Sequence, residues 1–235
     1  LGRPPVESIN TAVYLHTGTM LAAVYYFREE YIDILEQTPE YLEAVKNREG
    51  VRDYRLINFL VVSTLLTGII GGGIYFTMLS ALENIQNAEM IFSVITGLAL
   101  LATGFMKLRG EAALRKTSET NLTDSILTGG LQGLAIIPGV SRSGSTVFAL
   151  FYRDFDSRSA FKLSFLMSVP AVIAAQIGLG LLSGFTYSSG LAAAVITSFI
   201  VGILTIDAVL KIADRAEVAY LCFILAFLSL LSAMI

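Results

Sequence analysis

A short polar motif interrupts an apolar stretch near the middle of the chain, and it holds the residues best suited to chemistry. It covers residues 138–146 and reads Pro-Gly-Val-Ser-Arg-Ser-Gly-Ser-Thr. Of the sixteen Lys and Arg residues, Arg142 alone is embedded in apolar sequence on both sides. An ionised side chain at membrane depth costs about 2.5–3.5 kcal/mol on insertion scales, so Arg142 marks a candidate functional site.

The residue types in this motif favour an anion-binding site. Arginine presents a planar fork of donors that matches phosphate or carboxylate oxygens. We expect Ser143 and Ser145 to cap a helix that starts near Thr146, so that the free N–H groups of its first turn face the same anion. Gly139 and Gly144 would let the backbone approach a ligand and adopt a positive φ where one is needed.

The alternative is a helix-capping turn whose arginine pairs with a carboxylate elsewhere in the fold. Asp207 is the only carboxylate well inside another apolar segment. Lys211 follows it by one helical turn and is the nearer partner for it. The anion site is therefore the favoured interpretation of Arg142.

Three other polar residues each allow two interpretations. Ser141 could donate a hydrogen bond to a ligand or act as a nucleophile. His16 is either a hydrogen-bonded structural residue or a proton carrier or phosphate contact. Gln132 either joins two helices by a hydrogen bond or supports the motif from the side.

The composition is that of an integral membrane protein. The 235 residues are 54% hydrophobic and 15% charged, whereas a soluble domain carries roughly 25% charged residues. Several apolar runs of about twenty residues can cross a bilayer as helices, so we expect an all-α fold in one polytopic membrane domain, residues 1–235. The single cysteine excludes an intramolecular disulfide framework, and we expect no nucleic-acid partner.

Six apolar segments predict the membrane-spanning helices that must position the motif. Their ranges are 9–27, 56–82, 90–108, 159–183, 190–212 and 217–235. Residues 28–55 carry mixed charge, and we expect them to form a cytoplasmic loop of two short surface helices divided by Pro39.

The segment 122–153 is different, because Pro138 and the polar tip divide it into two short apolar parts. About fifteen residues precede Pro138 and about nine follow Gly144. At a rise of about 1.5 Å per residue, neither part crosses a hydrocarbon core of about 30 Å. The pattern predicts a re-entrant helical hairpin, which is tolerated at membrane depth when it is buried in protein or lines a water-filled cavity.

The distribution of basic residues supports the hairpin. Lys and Arg number five in residues 28–55, four in 107–121, three in 153–162 and two in 211–216, with none in 83–89 or 184–189. If the segment enters and returns, all the basic loops share one side, which is cytoplasmic by the positive-inside rule. A single crossing would place them on opposite sides.

The chain also resembles a known family, the undecaprenyl-diphosphate phosphatases, which are membrane enzymes of the bacitracin-resistance type. The resemblance is carried by residues 132–146 (Gln-Gly-Leu-Ala-Ile-Ile-Pro-Gly-Val-Ser-Arg-Ser-Gly-Ser-Thr), followed by 160–170 (Ala-Phe-Lys-Leu-Ser-Phe-Leu-Met-Ser-Val-Pro). Residues 15–22 and 25–28 are similar to the segment that follows the first motif of the family. The likeness covers nearly the whole chain, in the same order.

The resemblance implies a fold of two inverted repeats, each with a re-entrant hairpin, in a multi-pass protein of the plasma membrane. It implies hydrolysis of a polyprenyl (undecaprenyl) diphosphate to the monophosphate and inorganic phosphate, which recycles the lipid carrier of cell-envelope glycan synthesis. A transporter or flippase of polyprenyl phosphate or another anionic lipid is the alternative. Whether the chain forms a homo-oligomer stays open.

The resemblance also assigns roles to individual residues. Ser141 and Arg142 would be the catalytic pair. The residues around the phosphate would be Ser143, Gly144, Ser145, Thr146 and Gln132. The family is expected to use a divalent cation, Mg²⁺ or Ca²⁺, but the sequence contains no carboxylate pair at intramembrane spacing. We expect the acidic ligands on a first motif upstream of Leu1.

Overall fold

The computed structural model describes residues 5–81, 88–108, 115–137, 140–183, 189–213 and 217–233. Within these ranges the chain forms nine α-helices and no β-strand. The helices are α1 Pro5–Tyr26, α2 Arg28–Asn47, α3 Arg55–Ala81, α4 Ala88–Leu108, α5 Leu122–Gly133, α6 Arg142–Tyr152, α7 Ser157–Ser183, α8 Ser189–Ile212 and α9 Glu217–Ser232.

Six long helices stand where the sequence predicts the six spans, namely α1, α3, α4, α7, α8 and α9. Three of them include segments long and apolar enough to cross a membrane: Arg55–Thr77, Ser157–Gly178 and Gly190–Ile212. Helices α4 and α9 carry the shorter apolar stretches Ser93–Phe105 and Cys222–Ser232. The prediction of an all-α membrane protein is confirmed.

Helix α2 corrects the prediction of two surface helices divided by Pro39. It runs unbroken from Arg28 to Asn47 with Pro39 inside it. Proline removes the N–H that would bond to the carbonyl of residue 35. Both Leu35 and Pro39 are exposed, so water can satisfy that carbonyl, and the helix continues through the proline.

The two short helices of the predicted hairpin, α5 and α6, pack against each other. A short 3₁₀ turn, Leu134–Ile136, follows α5, and the tip residues Pro138 and Gly139 lie outside the described residues. The two ends of the segment meet at its base. The N–H of Arg115 donates to the carbonyl of Asp154 at 3.2 Å, and the N–H of Asp156 donates to the carbonyl of Arg115 at 3.0 Å. The segment therefore returns to the place where it begins.

The long helices pack in an order that fits the inverted-repeat expectation. Helix α1 packs on α8, and α3 packs on α7; α1 also contacts α7, and α4 contacts α9. Exchanging α1 with α7, α3 with α8 and α4 with α9 maps these four contacts onto one another. A pseudo-two-fold axis between two halves would produce such an exchange.

Close contact between α5 and α3 fixes the position of the hairpin along α3. A Cβ atom on Gly129 would lie 2.6 Å from the backbone of Ser63, and one on Gly133 would lie 2.8 Å from the Cβ of Ile70. Side chains at these two positions would collide with α3. The two glycines thus let the hairpin backbone lie directly against a long helix.

Candidate active site

Helix α6 begins at the arginine of the motif. Ser141 is its N-cap, with an extended backbone (φ −66°, ψ 117°) and a side chain that accepts the N–H of Gly144 at 3.1 Å. The expectation that Ser143 and Ser145 cap a helix starting near Thr146 is therefore wrong. The helix starts four residues earlier, because the hydroxyl of Ser141 already caps its first turn.

The early start places Arg142 and Ser143 in the first helical turn. Their backbone N–H groups find no acceptor among the described residues, whereas the N–H of Ser145 donates to the carbonyl of Ser141 at 2.9 Å. Free N–H groups at a helix N-terminus attract anions, since the helix dipole is positive there. The guanidinium of Arg142 and two backbone donors thus belong to one tip, as an anion site requires.

The hydroxyls of Ser145 and Thr146 bond to backbone carbonyls of the helix itself. Ser145 Oγ donates to the carbonyl of Ser141 at 2.9 Å. Thr146 is fully buried, and its Oγ1 lies 2.6 Å from the Oγ of Ser164 on α7. We read Thr146 as a residue that fixes α6 against α7, so its predicted contact with phosphate stays a prediction.

Gly144 lies in the first turn of the helix, and its lack of a side chain leaves room for the capping Ser141. The only glycine with a positive φ among the described residues is Gly50. A Cβ atom on Gly144 would lie 3.1 Å from both Cβ and Oγ of Ser141, closer than most side-chain contacts. A glycine here therefore lets the capping serine approach the backbone.

Arg142 lines a cavity of about 370 Å³, a volume within the usual range of ligand sites. Its walls come from α1, α3, α7 and the first half of the hairpin. The lining residues are His16, Thr64, Thr67, Gly68, Gly71, Gly72, Tyr75, Phe76, Gln132, Gly133, Ala135, Ile136, Arg142, Ala171, Val172, Ala174, Ala175 and Gly178. The structure thus brings together His16, Gln132 and Arg142, which are 126 residues apart at the extremes of the sequence (16 to 142).

Arg142 has an unused donor at this cavity. Among the residues that the structure describes, its buried Nη1 atom has no hydrogen-bond partner and the guanidinium forms no ion pair with a carboxylate. Asp207 is paired with Lys211 at 2.6 Å, as its spacing predicts. A buried unpaired donor is costly, so an acceptor from outside the described chain is the natural partner for this guanidinium.

Gln132 presents an unused acceptor at the same cavity. Its Nε2 donates to Thr67 Oγ1 at 3.0 Å. The single hydroxyl hydrogen of Thr67 is within reach of the carbonyls of Ser63 (2.8 Å) and Gly129 (3.1 Å), so this hydroxyl accepts from Gln132. The Gln132 Oε1 is buried and has no partner in the described part of the chain. The glutamine therefore both joins two helices and leaves one polar atom for a ligand.

His16 lies on α1 with its side chain at the cavity. Its backbone carbonyl accepts a bond from the hydroxyl of Thr19 at 3.1 Å. For the imidazole, no hydrogen-bond partner exists among the residues that the structure describes. His16 is exposed, so it needs no protein partner, and both interpretations of its role stay predictions.

A group of charges at the hairpin base was not recognised in the sequence. Asp124 is fully buried and pairs with Arg115 (2.5 Å) and with Arg153 (2.6 Å). The guanidinium of Arg115 also stacks over the ring of Phe155, 4.2 Å from its centroid. We call Arg115, Asp124 and Arg153 the base clamp. The one available signal was the capping pair of Asn121 and Asp124 at the start of α5.

A second ion pair lies beside the base clamp, outside the membrane-spanning helices. Lys116 Nζ is 3.1 Å from Asp156 Oδ2, and Asp156 accepts the N–H and hydroxyl of Ser159, each at 2.9 Å. Burial raises the pKa of the Asp156 carboxyl, but these bonds from Ser159 and Lys116 outweigh burial and hold the pKa below its ordinary value.

The described residues do not supply a metal-binding set at the cavity. Within them, no group of three or more His, Cys, Asp or Glu side chains could hold a metal ion. The cavity lining includes one imidazole and no carboxylate, whereas Mg²⁺ and Ca²⁺ require oxygen ligands, mostly carboxylates. These residues by themselves do not fit the expected divalent cation.

Comparison with known proteins assigns the chain to a family. It is 36% identical to an undecaprenyl-diphosphatase of Methanococcoides burtonii, over 98% of this chain and 85% of that protein. It is 34% identical to one of Haloarcula marismortui (94% of this chain, 81% of that protein). It is 30% identical to one of Alkaliphilus metalliredigens (94% and 82%). The family model of the bacitracin resistance protein BacA matches residues 4–231, and the chain therefore belongs to the BacA family.

Proposed function

We propose that this protein hydrolyses undecaprenyl diphosphate to undecaprenyl monophosphate and inorganic phosphate. The bond between the terminal phosphorus and the bridging oxygen breaks, and water supplies the new oxygen on phosphate. Membership of the BacA family and the relatives named undecaprenyl-diphosphatase support this reaction. No observation favours the alternative, transport of an anionic lipid.

The observation that carries the proposal is the buried Nη1 of Arg142, which has no partner among the described residues, at the N-terminus of α6. In phosphoryl transfer, charge spreads over the equatorial oxygens of the transferred group, and fixed donors stabilise it. Arg142 and the N–H groups of the first turn would hold the terminal phosphoryl group. Ser141 and Ser143 lie at the same tip, with their Oγ atoms 3.5 Å apart.

The cellular setting follows from the substrate. A 55-carbon prenyl tail is soluble only in a bilayer, so the enzyme would be a multi-pass protein of the plasma membrane. Release of the monophosphate returns the lipid carrier to cell-envelope glycan synthesis, and the family name links this step to bacitracin resistance. A homo-oligomer stays a prediction.

Phosphate release from undecaprenyl diphosphate by the purified protein tests the proposal. We expect Arg142→Ala to lower kcat about 10³-fold, as for other arginines that stabilise phosphoryl transfer. Arg142→Lys should restore only part of the rate, because an ammonium group lacks the planar fork. Exposed Arg52 provides the matched control, and Arg52→Ala should keep the wild-type rate.

A divalent cation is the second variable of this assay. From the family resemblance we expect that a chelator suppresses phosphate release and that Mg²⁺ or Ca²⁺ restores it. Full activity of the Arg142→Ala variant would contradict the assignment of the site. Absence of phosphate release from the wild-type protein, with cation present, would contradict the proposed reaction itself.

A further inference from the structure

Helix α3 contains two kinds of glycine. At Gly71 a Cβ atom would lie 3.4 Å from the carbonyl oxygen of Gly133, so this glycine serves the contact with the hairpin. At Gly68, Gly72 and Gly73 a Cβ atom would meet no atom within 4 Å. Glycine is a poor helix former, so a glycine without a close contact needs another physical reason.

For two of these open glycines the reason is the cavity. Gly68 and Gly72 line it, whereas Gly73 does not. Residues four apart lie on one helix face, about 6 Å along its axis. Across the cavity, α7 contributes small side chains and Gly178, where a Cβ atom would again meet nothing within 4 Å. At these glycines open space therefore separates α3 from α7, although the two helices contact each other elsewhere.

The cavity has a polar part, around Arg142 and Gln132, and other walls that are mostly apolar. The buried, unpaired Nη1 of Arg142 and Oε1 of Gln132 belong to its polar part, and Gln132 is only 2% exposed. The walls that α3 and α7 contribute are mostly glycine and alanine, with Val172, Tyr75 and Phe76, while Thr64 and Thr67 on α3 also line the cavity. Phe76 is 62% exposed and Gly68 is exposed, so this apolar part reaches the outer surface of the helices, where lipid would lie.

A molecule that fits this arrangement has an anionic head and a hydrocarbon tail. The volume of about 370 Å³ is typical of sites for drug-sized ligands, which are much smaller than a 55-carbon chain. The cavity can thus hold the head group and the first part of a tail, while the rest of the tail continues among the surrounding lipids.

We propose that the groove between α3 and α7 binds the isoprene units next to the diphosphate, and that Gly68, Gly72 and Gly178 are the residues that keep it open to them. This proposal rests on the proposed function. It adds three specificity-determining positions, which act on the tail and not on the phosphate. Larger side chains there would fill the groove without replacing any polar group of the anion site.

The first experiment isolates the tail from the phosphate. A diazirine derivative of geranylgeraniol, a prenyl alcohol without phosphate, is photo-crosslinked to the purified full chain in detergent. We expect labelled peptides from α3 and α7. Gly68→Leu and Gly178→Leu should each reduce this labelling at least about tenfold, because the leucine displaces several buried carbons of the probe.

The matched control is Gly73→Leu, which adds the same side chain to the same helix outside the cavity. Labelling of this variant should stay within about twofold of the wild type, because the leucine would not displace buried carbons of the probe there. A Cβ atom at Gly68, Gly73 or Gly178 would have no other atom within 4 Å. We therefore expect all variants to elute as single species. Gly68→Ala gives a smaller intrusion and should reduce labelling less than Gly68→Leu.

Phosphate release from geranylgeranyl diphosphate separates the two proposals. We expect Gly68→Leu to raise KM at least about tenfold, with Gly73→Leu unchanged. Labelling outside α3 and α7, or equal effects of Gly68→Leu and Gly73→Leu, would overturn the groove. Labelling on α3 and α7 without phosphate release from undecaprenyl diphosphate by the wild type, with cation present, would support the groove and overturn the reaction.

Discussion

At the scale of the residue, two neighbours in the motif have different geometries. Arg142 offers a buried, unpaired donor at the cavity. Ser141 does not line the cavity, and its Oγ accepts the N–H of Gly144. The Nη1 of Arg142 is therefore available to a ligand, whereas a lone pair of Ser141 Oγ already caps the helix that carries Arg142.

This difference leads to a prediction about the nucleophile. Because Ser141 Oγ acts as the helix cap, we expect water and not this serine to attack phosphorus. Asparagine caps helices as well as serine but lacks a nucleophilic hydroxyl, so Ser141→Asn should retain phosphate release within about tenfold of the wild type. Mass spectrometry of protein quenched during turnover should find no phosphate on Ser141. A phosphorylated Ser141, with an inactive Ser141→Asn variant, would show the opposite.

At the scale of the element, the hairpin is held at both ends. The tip is placed by Thr146 against Ser164 and by Gln132 against Thr67. The base is closed by the base clamp, whose carboxylate on Asp124 is completely buried between two arginines. Helices this short are marginal alone, so these contacts must hold them.

The base clamp gives a prediction about stability. Asp124→Asn removes the buried charge and leaves Arg115 and Arg153 without their carboxylate, which should destabilise the protein by about 3 kcal/mol. The measurement is thermal unfolding in detergent. The exposed loop residue Asp53 is the control, and Asp53→Asn should change little. Equal unfolding temperatures for the Asp124 and Asp53 variants would contradict the clamp.

The pH dependence of the neighbouring ion pair is a separate prediction. The folded pKa of Asp156 is lowered, so the carboxylate contributes stability above the unfolded pKa of about 3.9. That contribution is lost as the pH falls through the folded value. Wild-type protein should therefore unfold at a higher temperature than Asp156→Asn at pH 7, and the difference should shrink below about pH 4. A constant difference from pH 7 to pH 3 would exclude this origin.

At the scale of the whole molecule, the surface matches a lipid environment. Large apolar side chains on the long helices are strongly exposed, including Ile69 (69%), Leu181 (82%), Leu204 (66%) and Phe227 (65%). Soluble proteins rarely expose extended apolar patches. In a bilayer this surface contacts lipid tails. The exposed apolar side chains and the basic loops together therefore determine how the protein is oriented in the membrane.

Topology is the prediction at this scale. In a Cys222→Ala background, single cysteines at the exposed positions Glu49, Ser118 and Arg158 sample three of the basic loops. We expect a membrane-impermeant thiol reagent to label all three from the cytoplasmic side only, because basic loops remain there. Labelling of Ser118→Cys and Arg158→Cys from opposite faces would show that the segment between them crosses the membrane.

The sequence by itself determined the positions of the long helices and the location of the polar motif. Long apolar runs admit one stable structure in lipid, an α-helix that satisfies its own backbone, so the six spans agree with α1, α3, α4, α7, α8 and α9 to within a few residues. The lengths around Pro138 predicted the hairpin for the same reason. The capping serine was misplaced, because Ser141, Ser143 and Ser145 are all good caps and only the local geometry selects one.

Tertiary structure decided which residues meet. Spacing along the sequence relates residues within one helix, whereas the residues that share the cavity with Arg142 come from α1, α3, α5 and α7. Gly68 and Gly73 are the same residue type on the same helix, yet only Gly68 lines the cavity. Asp124 likewise can be buried only because Arg115 and Arg153 lie beside it. The hairpin brings these residues together by returning to its base. Long-range packing sets these contacts, and no local pattern encodes them.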